Sequence, residues 1–523
     1  MSRPRSWVWG PASLAAWCFL ATAVTAQGMD ETIVLQPPLP DRIDRIELVW
    51  SGGAEPTVLI NQPAPSPRRA ERLRGTESRL IPAAERLRSF GSCAVSWLVR
   101  GEHLVIQFEG TAEAACGVVW FLGRPEEAVD VLSFQALRVV GRASGTIEIG
   151  MADRLWWNKQ DHVSCVTVSG PFEADVSLAR LIDRVDLREL VALTVTAREV
   201  PAELTIQRAW LEAHPVQQAG AMKRGLWVWD LQKAQQQADQ IVKTCRSIGC
   251  RRLSIQMPSA GDPDSVWRTF CSLVRRWRDE GIEVLALDGY PEAAVNPDRL
   301  LAGIRRLVVE CGDVLPAGLQ VDIEPYLLPE ARLGQDRYRD YLISLAQIRQ
   351  MLPPDVPLSV IVPFWFPQVS VEGRSLAQQV FERADEVVVM SYRADVAEAL
   401  ALMDDWVRYG VLLGKPVWGA LETRPLPDER HLVLQLVDRP EEATAFFDRS
   451  RGRLVLAAPR SADSRFIYFA EAARYEVQGS RLSFAGRSKA TVIRAIDQWA
   501  QGARHSPVAG LMIHDWEGYE QLP

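Results

Sequence analysis

Asp322 and Glu324 stand two residues apart in the run GLQVDIEPY, residues 318–326. In an extended chain alternate side chains share a face, so the two carboxyls project together and Ile323 opposes them. Pro325 has no N–H to give to a ladder, which ends a strand through this run. Two carboxyls held side by side in a low-dielectric setting raise each other's pKa. A carboxyl that keeps its proton near neutral pH is what a general acid requires. The plainer alternative is a solvated strand end or a partner for a nearby Arg, and the bare DxE triplet leaves it open.

The elements that would position such a pair are legible from residue 224 onward. Strand-like apolar runs fall at 225–230, 253–257, 283–288, 318–326, 358–365, 386–392, 416–423 and 508–516. Between them, helical spacing falls at 232–248, 264–279, 298–311, 338–351, 376–382, 396–413 and 488–501. Eight such units predict a C-terminal α/β domain, a (β/α)8 TIM barrel over 224–523, with 428–487 as an insertion on its rim. An open doubly wound sheet is the alternative, but the first turn lacks the glycines that fold uses for phosphate. Barrel sites lie at the C-terminal ends of the strands. Here those ends carry Trp229, Asp230, Gln256, Asp288, Asp322, Glu324, Tyr326, Trp365, Tyr392, Glu422, His514, Asp515 and Trp516. Acids and aromatics without a phosphate clamp suit a neutral polyhydroxy substrate, because aromatic faces cover sugar rings while carboxyls bind hydroxyls and move protons. On this reading Glu324, Asp322, Glu422 and Tyr392 carry the chemistry, with Glu324 as general acid/base. Trp229, Asp230, Gln256, Asp288, Tyr326, Trp365, Asp515 and Trp516 bind substrate.

Asp322-Ile323-Glu324 resembles the end of the DxxDxDxE signature of chitinase-like family 18 glycoside hydrolases, and Met390-Ser391-Tyr392 resembles that family's Met-x-Tyr. The likeness covers the fourth, sixth and eighth strands. The two earlier acids of the signature fall on Ala317 and Gln320, and Arg393 stands where an Asp is usual. The resemblance implies that Glu324 is the acid, that Asp322 positions a substrate N-acetyl group and that Tyr392 stabilises the intermediate. Glu324-Pro325 with Glu422 is also similar to the acid/base and nucleophile of the retaining clan of barrel glycosidases, which normally has Asn where Ile323 stands. A two-carboxylate retaining enzyme holds that pair about 5–5.5 Å apart. The two resemblances agree on Glu324. They differ on whether Glu422 or the substrate's own amide attacks the anomeric carbon. Both imply a glycoside hydrolase acting on a polysaccharide or oligosaccharide. A glycan-binding barrel without turnover and a structural envelope or secretion protein are the alternatives.

At 523 residues the chain is too long for one core. Short runs of Val, Ile, Leu, Phe and Trp between turn signals make residues 30–213 an expected all-β sandwich of jelly-roll type. Residues 214–223, polar and small, are the expected linker. The stretch 134–210 is similar to the C-terminal half of carbohydrate-binding jelly-roll modules, which implies glycan binding, with Trp156 and Trp157 as candidate stacking residues. Core or rim aromatics are the alternative for both.

Arg3 and Arg5, an apolar stretch at 12–23 and Val24-Thr25-Ala26 before Gln27 read as a secretory signal over 1–26. The expected location is therefore periplasmic or extracellular, and no later run is long and apolar enough to cross a bilayer. Of the eight cysteines, Cys18 lies in the signal, which leaves an odd number; Cys93–Cys116 and Cys245–Cys250 are possible pairs. A net charge of −7 speaks against a nucleic-acid surface. No GxxxxGK or GxGxxG calls for a cofactor. The six histidines show no HxxxH or HxH, so no metal site is expected.

Overall fold

The computed structural model describes residues 31–34, 43–51, 56–60, 71–73, 77–101, 103–110, 116–214, 222–328, 335–459, 463–502 and 508–523. The expected signal at 1–26 and most of the expected linker lie outside them.

Eight parallel strands close into a barrel: Lys223–Val228, Arg252–Gln256, Glu283–Asp288, Gly318–Val321, Leu358–Pro363, Glu386–Met390, Val417–Glu422 and Val508–His514. The last strand pairs with the first, Gly225 against Met512. Helices Asp264–Asp279 and Asp298–Cys311 form over the residues their apolar spacing predicts. The expected helices 232–248 and 396–413 each break once, at Gln237 and at Met403.

The fourth strand is shorter than expected. It ends at Val321, and Pro325–Leu327 turns as a single 3-10 turn. Pro325 ends the ladder as its missing N–H requires, but the departure begins earlier. Asp322 still gives its N–H to the carbonyl of Asp288, at 3.0 Å. The acids therefore sit just past the strand.

Aliphatic layers are the usual filling of such barrels; here the interior is aromatic and charged. Arg252 donates through Nε to Glu283 at 2.9 Å and through Nη1 to Glu386, and its guanidinium lies 3.9 Å from the Trp418 ring centre. Trp227 gives its indole N–H to Gln320, which donates on to Ser359 Oγ at 3.0 Å. Glycines make room for the large rings. A Cβ at Gly510 would lie 2.2 Å from the Trp418 ring. Gln320 and Arg252 thus tie strands across the barrel beneath its mouth.

The N-terminal expectation needs correcting. Arg45–Ser51 pairs with Glu429–Val437, and Glu31–Val34 pairs with Arg453–Leu456. Residues 31–60 and the rim insertion thus form one seven-stranded antiparallel sheet, apart from the sandwich. The reason is an apolar face of its own: Ile46, Leu48, Leu432, Leu434, Phe447 and Phe469 bury against one another. The strands of the sandwich run from Glu71 to Ala213. There Phe134–Asp153 is one long strand. It pairs first with Ala202–Ala213 and then, after a register break at Ala143/Ile147, with Leu190–Ala197. Val163–Ser177, its partner throughout, alternates too weakly to be read from sequence.

The sandwich docks on the barrel through buried charge. Arg408 donates to Asp130 Oδ2 at 2.8 Å and to Ser133 Oγ at 3.0 Å, and Arg188 pairs with Asp405 while donating to the Pro367 carbonyl. Cys93–Cys116 is a disulfide, as expected. Cys245 and Cys250 remain thiols, because Cys250 Sγ turns to the Arg252 carbonyl at 2.9 Å. The second disulfide, Cys271–Cys311, instead joins neighbouring helices. No helix among the described residues is long and apolar enough to cross a membrane.

His431 locks the seven-stranded sheet. Its ring is sealed, with Nδ1 3.0 Å from Glu47 Oε1, Nε2 3.3 Å from Glu429 Oε2 and Tyr475 stacked on its face. Burial pulls its pKa down, but the two carboxylates outweigh it and hold it above the ordinary value. Burial likewise opposes ionisation of Glu47, yet His431 and Arg45 hold its pKa below the usual range. A raised histidine pKa contributes stability that is full below the unfolded value and is lost as pH rises through the folded one. A depressed carboxyl pKa contributes stability that is lost as pH falls through the folded value. Thermal melts should therefore show this sheet strongest between those limits and weakened at alkaline pH. Removing one partner of a buried ion pair costs about 3–5 kcal/mol, so Glu47→Ala should lower stability on that scale. A melt equal to wild type at pH 7 would contradict the lock.

Candidate active site

Asp322 and Glu324 face the barrel mouth, while Ile323 is buried in the wall behind them. Gly289, just past the third strand, lets them sit there: a Cβ on it would lie 2.0 Å from the backbone oxygen of Asp322. Burial raises the Asp322 pKa well above the usual carboxyl value, and the Glu324 charge adds to it. Burial raises Glu324 as well; the Tyr326 hydroxyl, which donates to Glu324 Oε1, and the charge of His514 offset only part of this. Asp322 Oδ1 is buried without a hydrogen-bond partner.

The expected neighbours fall into two groups. Tyr326 meets Trp365 edge to face at 5.2 Å. Gln256 donates to Asp288 at 3.2 Å, and burial raises the Asp288 pKa although Gly289 N–H and Gln256 oppose it. Tyr392 and Trp229 both pack on His514, at 6.0 and 6.2 Å between ring centres. Burial, and then the charges of Glu422, Asp322 and Glu324, hold the Tyr392 hydroxyl protonated. These residues converge on the acid pair.

The others do not. Asp230 caps helix Leu231–Gln236, accepting from Lys233 N at 2.9 Å. Asp515 is bound by Arg424 and caps helix Trp516–Glu520 through Gly518 N at 2.8 Å. Burial opposes ionisation of Asp515, but Arg424 outweighs it and the pKa is lowered. Trp516 is 3% exposed, a core ring and no platform. Each is a helix-start residue that strand phase alone mistakes for a site residue.

Glu422 Oε1 accepts from the N–H groups of Thr423 at 2.8 Å and Arg424 at 2.6 Å, and Oε2 lies 2.8 Å from His514 Nδ1. Both oxygens accept hydrogen bonds, which ties Glu422 to its own turn and to His514 on the next strand. That neighbour, His514, received no role from the sequence. It is the register partner of Glu422 on the adjacent strand, a signal the alternating pattern of VAGLMIHDW contains. Arg393 is buried, bonded to the Tyr392 carbonyl at 2.6 Å and aimed at Glu398. Gln320 is consumed in the barrel core.

On the sandwich, Trp156 gives its indole N–H to the Arg184 carbonyl at 2.9 Å and Trp157 packs edge-on against Phe121, so neither ring is a free platform. The same sheet carries Glu148, bonded to His162 and Arg198, beside the buried, unpartnered hydroxyls of Thr194 and Thr196. No group of three or more His, Cys, Asp or Glu among the described residues is arranged to hold a metal ion.

No family model matches the chain, and no curated protein sequence matches it. Among solved structures, the family 11 carbohydrate-binding module from Clostridium thermocellum, in complex with a β-1,3-1,4-mixed-linked tetrasaccharide, is 11% identical. It covers 26% of this chain and 95% of its own, with a TM-score of 0.22. A family 29 carbohydrate-binding module is 13% identical over 27% of this chain and 89% of its own, at 0.20. The class V chitinase from Nicotiana tobaccum is 12% identical over 57% of this chain and 95% of its own, at 0.33. Likenesses at these scores carry no weight for ligand or reaction.

Gly289 supplies a direct check on the packing under Asp322. Overpacking a tight contact costs about 1–3 kcal/mol, and Gly289→Ala should lose stability on that scale in a denaturant melt. Gly261→Ala, where a Cβ meets nothing within 4 Å, should melt like wild type. Equal behaviour of the two variants would contradict the close approach.

Proposed function

We propose that the barrel hydrolyses glycosidic bonds in a glycan, with Glu324 as general acid. The observation that carries this is the acid pair itself: two carboxyls two residues apart, Glu324 buried beneath Tyr326 and Asp322 half-buried with its Oδ1 sealed and without a partner. Such an arrangement keeps a proton where a leaving oxygen needs it.

Because Glu422 is occupied, the substrate-assisted route is the better reading of the mechanism. The acyl oxygen of a 2-acylamino group attacks the anomeric carbon as Glu324 protonates the departing glycosidic oxygen and that C–O bond breaks. Asp322 accepts the amide N–H and orients the group, and the Tyr392 hydroxyl steadies the cyclic intermediate. Water then attacks the anomeric carbon as the bond from that carbon to the acyl oxygen breaks and the amide re-forms, and the Glu324 carboxylate takes the water's proton. A general acid works below its pKa, and both carboxyls lie above their ordinary values. The alkaline limb of the rate profile therefore belongs above the usual Glu range. We also infer that the sandwich binds glycan alongside the barrel.

Reducing-end release over a glycan panel, with affinity electrophoresis on the same glycans, tests this. Removing a general acid costs about 10²–10⁴-fold in rate, so Glu324→Gln should lose turnover by that factor and keep glycan retardation. Glu422→Ala should gain nothing from added azide. Retardation without turnover, equal in wild type and Glu324→Gln, would make this a glycan-binding barrel. Azide rescue would restore Glu422 as nucleophile.

A further inference from the structure

Glu422 and His514 form a unit that the hydrolytic reading leaves without a task. They are register partners on the seventh and eighth strands, and Glu422 is 2% exposed. Two backbone N–H groups and His514 Nδ1 converge on that carboxylate. With two backbone donors already on Oε1, the carboxylate oxygen Oε2 lies 2.8 Å from Nδ1 and fixes Nδ1 as the protonated nitrogen. Edge-on packing against Trp227 and the rings of Trp229 and Tyr392 fixes the plane of the imidazole.

The other nitrogen is available. Nε2 makes no bond to any described residue, and the side chain is 24% exposed. The charged groups around the ring are the acids Glu422, Asp515, Asp322 and Glu324 and the cation Arg424. Burial pulls the His514 pKa down, but Glu422 outweighs it and pushes it up to about 9. The mouth thus holds an open donor on His514 and an unpartnered acceptor, Asp322 Oδ1. With His514 set against Glu422 and Arg424 against Asp515, little net charge is left for an anionic sugar. A neutral sugar, rich in oxygens that accept and O–H or N–H groups that donate, satisfies both.

We propose that His514 is a substrate-binding residue, held in place by Glu422, and that its Nε2–H donates to an oxygen of a neutral sugar bound against Asp322. This rests on the reading of the mouth as a glycan site, though not on turnover there.

Imidazole ¹⁵N NMR of the full chain tests it, with triacetylchitotriose and cellotriose as probes. Both ring nitrogens of His514 should read as protonated at pH 7, and Nε2 should move on saturation with at least one trisaccharide. One charge-assisted hydrogen bond is worth about tenfold or more in affinity, so His514→Gln should weaken that trisaccharide by at least that factor. Glu422→Gln keeps the imidazole but removes its anchor. His514 should then titrate at or below the ordinary histidine range, and the same trisaccharide should weaken similarly. A neutral His514 at pH 7, an Nε2 signal unmoved by both probes, or wild-type affinity in either variant would overturn the proposal. A barrel that binds a probe through His514 without cleaving any glycan would sink only the hydrolytic reading.

Discussion

Two carboxylates cannot share a dry pocket fully ionised. Glu324 is buried and Asp322 half-buried with a sealed Oδ1 at the barrel mouth, and desolvation and mutual repulsion both disfavour the doubly charged state. One proton kept between them is the lowest-cost answer, and the surroundings set how firmly it is held. The Tyr326 hydroxyl and the His514 charge each favour ionisation of Glu324 and offset part of the effect of burial. Such coupled groups titrate as a pair, and the proton belongs to both.

The scaffold serves that constraint at a distance. Gly289 lets the Asp322 backbone close against the third strand. Below it, Trp227, Gln320 and Ser359 link the first, fourth and fifth strands by hydrogen bonds, so the floor of the mouth is tied across the barrel. Arg188 of the sandwich holds the Pro367 carbonyl, two residues beyond Trp365, the ring that covers Tyr326. The sandwich thereby braces one wall of the mouth. Buried ion pairs such as Arg408–Asp130 add little net stability but penalise any other docking geometry.

Much of this was legible in the sequence, for identifiable reasons. Apolar periodicity marked all eight barrel strands, and strand phase put Asp322, Glu324, Tyr392 and Glu422 at the correct end of the barrel. Phase could not distinguish a residue facing the mouth from one that starts the next helix, and so did not show that Asp230 and Asp515 cap the helices that follow or that Trp516 packs in the core. Occupancy was also hidden. That Glu422 is filled by Thr423, Arg424 and His514 depends on a turn and on a partner strand about 90 residues away. The seven-stranded sheet escaped because its strands pair across almost 400 positions, Arg45 with Gln435, and no local pattern encodes a partner. Cys271–Cys311 was missed likewise, its two helices being adjacent in space and 40 residues apart in sequence.

The shared proton is the claim on which the rest stands, and ¹³C NMR titration of side-chain carboxyls in the labelled protein measures it directly. With Asp322→Asn and Glu324→Gln used to assign the signals, one carboxyl of the pair should remain protonated at pH 7 and lose that proton only at higher pH. In each single variant the remaining acid should titrate lower than it does in the pair. If both carboxyls instead ionise fully below pH 5 in the wild-type protein, the mouth holds no proton to give, and the account of it as an acid site is wrong.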